Sequence, residues 1–223
     1  MQLPFTAEQL FDVFEHHNVA TWPAPVLGYV LGIAAVLYAI KRTPISDSVV
    51  CSILALFWLW IGAVYHIAFL ATIAKAAYLF GALCIVQGAV FLVVGAFRGR
   101  ICFGFERNPF CIVGAILVLY ALVAYPLLGI RLGHAYPQSP AFGLAPCPTT
   151  IFTFGLLLWT RTRVPRYILA IPALWSLVGS TAAYLGVLED AGLLATGVVG
   201  TALIVYRDRR RSPPQGLGNE RDV

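Results

Sequence analysis

Hydrophobic residues run along this chain in long blocks, not in short alternating segments. The blocks cover about 23–40, 49–71, 77–97, 110–130, 147–160, 167–186 and 190–206. A helix that crosses the hydrocarbon core of a bilayer needs about 20 mainly apolar residues. The blocks therefore predict an all-α fold, a polytopic membrane helix bundle of about seven transmembrane helices. The 147–160 block is the shortest, and its start can reach back into the apolar stretch 141–146.

The segment before the first block has a different pattern. Thr6 is placed to cap a short helix, and Gln9 three residues on completes a capping box. Phe5 and Leu10 stand at the staple positions, and Leu10, Phe11 and Phe14 form an apolar stripe. This predicts an interfacial helix on the membrane surface. Glu8, Asp12 and Glu15 with no Lys or Arg do not suit a secretory signal, so the first apolar block is expected to be retained. The organisation expected is an outer interfacial segment (1–22), a transmembrane bundle (23–206) and a disordered cytoplasmic tail (207–223). The tail is charged and then rich in Pro and Gly.

Composition supports the membrane reading. Only 11% of residues are charged and 60% are hydrophobic. A soluble domain carries roughly 25% charged residues, so this chain could not cover a water-facing surface. Its net charge of +5 raises the question of nucleic acid, but the basic residues sit in loops between apolar blocks and form no groove-binding element. All but two of the 15 Lys and Arg residues fall in the first, third and fifth loops and the tail. The exceptions are Lys75 and Arg131. Positive charge stays in the cytoplasm, which predicts the N-terminus outside, the C-terminus inside and an odd number of spans.

That topology places His16, His17, His66 and His134 on the outer half. His66 falls within a span, where an ionisable group usually faces the bundle interior. Trp58, Gly62, Tyr65, His66 and Phe69 share one helical stripe. Cys147 lies in Pro146-Cys147-Pro148-Thr149-Thr150, with Pro148 suited to the first helical position and Cys147 to the N-cap. A thiol there gains thiolate character, the form that binds soft metals. Thr149, Thr150 and Thr153 continue as a polar stripe. No other cysteine is expected on the outer side, so Cys147 is expected to be a free thiol. Glu189 and Asp190, in a very short loop, either cap the next helix or complete an oxygen-containing site. Gly28 and Gly32, and Ser176, Gly179, Ser180 and Ala183, form small-residue faces for close packing. Pro126 and Pro172 interrupt spans.

Two site readings follow from these residues, and a third treats the histidines as structural. In the first, His66, Cys147 and His134, with His16 or His17 contributing, hold a soft or borderline transition-metal ion for uptake, efflux or sensing. This requires the second and fifth spans to meet under an inward-folded loop. In the second, the chain is a redox protein. Tyr65, His66 and His134 would bind a cofactor such as haem, or Cys147 would exchange thiols with a quinone-linked partner. In the third, the chain is a non-catalytic accessory subunit. No phosphate loop, nucleophile elbow, H-E-x-x-H or dinucleotide fingerprint occurs, which favours a protein that is not an enzyme. The expected partners are the lipid bilayer and either further copies of the chain or other membrane subunits, with no nucleic acid.

Several strings also carry a resemblance. They are Trp60 through Tyr65-His66 and Phe69, Ala76-Ala77-Tyr78-Leu79-Phe80-Gly81, Gly133-His134-Ala135-Tyr136-Pro137, Pro146 to Gly155, and Pro165-Arg166-Tyr167 through Trp175-Ser176. From about residue 4 to 206 the chain resembles a bacterial family of multi-span membrane proteins defined by a domain of unknown function. The resemblance implies a bacterial inner membrane and brings no activity and no site.

Overall fold

The structure, a computed structural model, describes residues 5–211. It is helical throughout, with one isolated bridge between Phe103 and Thr160. Helix α1 (Ala7–Ala20) opens with the expected capping box: Gln9 N–H donates to Thr6 Oγ1 (3.3 Å), and Thr6 N–H donates to Gln9 Oε1 (2.9 Å). Leu10, Val13, Phe14, His17 and Asn18 are its buried residues and lie on one face at helical spacing.

Six helices are long and apolar enough to cross a membrane: α2 (Ala24–Lys41), α3 (Ser46–Thr72), α4 (Ala77–Phe97), α5 (Pro109–Arg131), α7 (Arg166–Leu185) and α8 (Leu188–Arg210). Between the last four lies the shorter α6 (Pro146–Leu158). Their amphipathicity is inverted. Helix α2 buries Pro25, Gly28, Gly32, Ala35 and Ala39, while Leu27, Val30, Ile33 and Leu37 are exposed. Small residues face the neighbours and large apolar ones face outward, the arrangement that suits lipid. Helices α3 and α4 approach closely. A methyl added to Gly62 would stand 2.6 Å from the Gly81 carbonyl oxygen, and one added to Gly81 would stand 2.9 Å from that of Gly62.

Helix α6 is the centre of the bundle. Every one of its residues is buried. Thirteen residues rise only about 20 Å, well short of the roughly 30 Å core. The missing length is supplied by the preceding loop, which turns inward so that Ala141–Ala145 are buried too. Irregular backbone at that depth must be covered by protein, and here it is. Phe142 packs among Tyr29, Phe57 and Phe152. Gly28 and Gly32 leave room for this Phe142 loop, not for another helix. Gly143 adopts a φ of +79° between Phe57 and Gly28, a conformation glycine adopts at little cost. Its N–H donates to Thr149 Oγ1 (3.1 Å), and Thr149 donates to the Ala145 carbonyl (2.7 Å).

The other end of α6 is closed by Arg207, a buried residue of α8. Its Nη1 donates to the carbonyls of Leu157 (3.1 Å) and Leu158 (2.9 Å), its Nη2 to Thr160 Oγ1 (2.9 Å), and its Nε to Asp208 (2.9 Å). Helix α8 therefore continues to Arg210, and Arg207 is not the start of a tail. The spacing of Gly197, Gly200, Ile204 and Arg207 keeps one buried face going to the last turn. The rest of the expected disordered tail, 212–223, lies outside the described residues.

Candidate functional site

Helix α3 changes its winding at Ile61. From Ile61 to Phe69 it is a π-helix, and this segment carries Tyr65 and His66. The wider turn brings the ring of His66 onto a carbonyl five residues back: Nδ1–H donates to Ile61 O at 3.0 Å. The ring is fully buried. With the proton on Nδ1, Nε2 is left as a buried acceptor that has no partner among the described residues. Trp175 of α7 meets this ring edge to face, at 4.9 Å between centroids. Among the described residues the indole Nε1–H of Trp175 is likewise buried without an oxygen or nitrogen acceptor, with the Cys147 sulfur as its neighbour.

Trp175 forms one wall of a cavity of about 190 Å³. Tyr65 and Phe80 form another wall, Phe5, Leu10 and Phe14 of the N-terminal segment lie across the mouth, and Cys147 and Asp190 lie side by side at the polar end. Apart from Thr181, whose hydroxyl donates to the Val178 carbonyl, the rest of the lining is apolar. Helix α1 is thus not only a surface helix. Its apolar stripe packs on Tyr65 and Leu70, because those side chains offer it a protein surface to cover.

The side chains of the two acidic residues do not cap the regular α-helical part of α8: Asp190 stands at the N-cap position before Ala191, but no side-chain cap bond is made there. Both side chains turn into the bundle, where Glu189 is 2% and Asp190 1% exposed. Asp190 Oδ1 accepts the Tyr125 hydroxyl at 2.5 Å, and among the described residues its Oδ2 meets no nitrogen or oxygen donor, with the Cys147 thiol as its neighbour. The Glu189 carbonyl accepts Tyr120 Oη at 2.8 Å. The Glu189 carboxylate stands 3.5 Å from His134 Nδ1. His134 Nε2 faces the Gly186 carbonyl at 3.2 Å, and Phe11 stacks on the ring at 5.0 Å.

The sequence-expected residues therefore separate into three places. Cys147 and Tyr65 line the cavity, with His66 behind Trp175 on its wall. The second and fifth spans do meet, and Trp58 Nε1 donates to Thr153 Oγ1 at 3.1 Å. His134 joins Glu189 instead of Cys147. His17 is buried in α1: its Nδ1–H donates to Asn18 Oδ1 (3.2 Å), and its Nε2 accepts from Trp60 Nε1 (3.4 Å). Burial pushes this imidazole down to about 4. His16 is exposed. Cys147 is not the N-cap of its helix. Ala145 takes that position and Pro146 the first turn, because either proline fits N1 and the inward loop ends two residues early. All five cysteines are free. Among the described residues, no three His, Cys, Asp or Glu side chains stand together as a metal site.

Trp175, Tyr125 and the inward turn of Asp190 were not singled out from the sequence as site features. One signal was available: two adjacent acids in a loop too short to project them into water.

No curated protein and no solved structure matches this chain. A family model does, over residues 7–213, and the chain belongs to that family, described as a family of unknown function, DUF6064.

Proposed function

We infer that this chain is a multi-pass protein of the bacterial inner membrane, with α1 on the outer side. Its cavity would bind a small, mostly apolar molecule that carries a protonated amine. The charge asymmetry of the loops supports the orientation. One observation carries the ligand class: Asp190 Oδ2 is buried at an aromatic-lined cavity and, among the described residues, meets no charged partner, only the neutral Cys147 thiol beside it. A carboxyl group so placed must be neutralised by a proton or balanced by a cation. Among the described residues no Lys or Arg forms an ion pair with it. An ammonium group would meet the carboxylate and, in passing, the faces of Trp175 and Tyr65. A cavity of about 150 Å³ accommodates benzene, so about 190 Å³ suits one substituted ring or a short alkyl chain.

The test uses the full chain in detergent. 2-Phenylethylamine is expected to raise the melting temperature, ethylbenzene to do so less, and phenylacetate not at all. Asp190→Asn removes the difference between amine and hydrocarbon. Filling the cavity with Ala182→Phe removes both effects. Equal stabilisation by amine and hydrocarbon in the native chain would sink the reading.

The soft-metal reading finds Cys147 and Asp190 side by side, but no third donor joins them among the described residues. Metal analysis of the same sample, beside Cys147→Ser and His66→Ala, decides it. Equal metal content in all three counts against it. The haem reading meets a cavity too small for a porphyrin, with Trp175 already against the His66 ring.

A further inference from the structure

We propose that the arginine-rich end of the bundle carries a binding site for the phosphate of an anionic phospholipid, between the first turn of α7 and the last turns of α8. The proposal rests on the membrane-spanning reading and is independent of the amine site at the other end.

A groove of about 220 Å³ lies there, with Arg163, Arg166 and Arg209 on its rim and Leu169, Ile204 and Val205 along its side. The three arginines are exposed. Among the described residues none of them lies within ion-pair distance of a carboxylate. Asp208 borders the groove but is already engaged. Its Oδ1 accepts Arg207 Nε at 2.9 Å, and its Oδ2 accepts the Val164 N–H at 2.7 Å. Arg163 spends one Nη2 donor on the Arg211 carbonyl and keeps the rest of its guanidinium. Three unpaired guanidinium groups around one groove form a phosphate-shaped donor set. Helix α7 begins at Arg166 with no side-chain cap, so the positive end of its dipole adds to the same field.

Depth selects a lipid over a free ion. Tyr167 and Tyr206, next in the chain to the groove residues Arg166 and Val205, are exposed, 51% and 47%, and exposed aromatic side chains near the ends of spans suit the headgroup region. The apolar side of the groove continues from the arginine rim toward the span interior, as the glycerol and first acyl carbons of a lipid require. Basic pockets between spans on the cytoplasmic side are suited to such headgroups.

Native mass spectrometry of the full chain, released from detergent micelles, tests this. Phosphatidylglycerol is expected to remain bound, and phosphatidylcholine to bind at least about tenfold more weakly. Millimolar inorganic phosphate should not displace the lipid. Arg163→Gln/Arg166→Gln/Arg209→Gln is expected to weaken phosphatidylglycerol by roughly a hundredfold. Arg98→Gln/Arg100→Gln/Arg107→Gln removes the same charge elsewhere on that side and is expected to leave it within about twofold. If the first triple variant does not fold, Arg166→Gln alone should cost about fivefold. Equal binding of the two lipids, equal loss in the two triple variants, or full displacement by phosphate overturns the proposal.

Discussion

The Tyr125 hydroxyl donates to Asp190 Oδ1 at 2.5 Å, and both residues are 1% exposed. This is the one hydrogen bond that the Asp190 carboxyl accepts from a side-chain hydroxyl among the described residues. Tyr125→Phe deletes it and leaves the buried carboxyl with only the weak thiol donor of Cys147 beside it. The expected cost is about 1.5–3 kcal/mol. Asp190→Asn keeps an acceptor for the phenol and should cost less. Unfolding in detergent measures both, and a neutral Tyr125→Phe would contradict the role given to this bond.

The crossing of α3 and α4 depends on two absent side chains. Gly62→Ala forces a methyl to 2.6 Å from the Gly81 carbonyl. The two helices must separate, at an expected cost of about 1–3 kcal/mol. Leu56→Ala, on an outward-facing position of the same helix, should change stability by no more than about 0.5 kcal/mol. Similar melting of the two variants would refute the close contact.

Removal of the Arg207 guanidinium should be the most damaging single change. Arg207→Gln breaks its bonds to Leu157, Leu158, Thr160 and Asp208 and leaves Asp208 with a weakened counter-charge. The expected loss is about 3–5 kcal/mol. Arg98→Gln, on an exposed loop, should be neutral within about 0.5 kcal/mol. Expression level and detergent melting separate the two outcomes.

Docking of α1 should depend on pH through His17. Burial lowers its folded value to about 4 from 6.5. The unfolded or undocked state then binds the proton more readily than the docked one. The stabilisation is fully present above about 6.5 and is lost as pH falls toward about 4, with a total on the order of 3 kcal/mol. Amide hydrogen exchange in α1, compared at pH 7.5 and 4.5, should show faster exchange at the lower pH. His17→Gln should flatten that difference, and an unchanged pH response in His17→Gln would assign it to another group.

The helices were legible in the sequence because lipid permits little else: long apolar blocks have one economical backbone conformation there. The capping box at Thr6 and Gln9 was legible because both partners lie within one turn. The site was less so. His66 was marked by its cost inside a span, yet its partner is the Ile61 carbonyl, reached only because the helix widens to π geometry, and no residue pattern announces that change. Cys147 and His134 looked like co-ligands because both were expected in the same outer region. Their actual neighbours, Asp190 and Glu189, come from a loop more than 40 residues further along the chain, and local spacing carries no record of that meeting. Arg207 was assigned to the tail on charge alone, while the buried stripe that leads to it was already present in Gly197, Gly200 and Ile204.

The length of α6 bears on how the protein is made. A segment of thirteen residues gives the insertion machinery a weak signal, and its final carbonyls wait for a guanidinium that leaves the ribosome some fifty residues later. Until then the central segment has neither its full depth nor its closing bonds. Completion of the core is thus deferred until α8 has been synthesised. A chain halted before Arg207 would hold its earlier spans in the bilayer around an unfinished centre, open to membrane proteases.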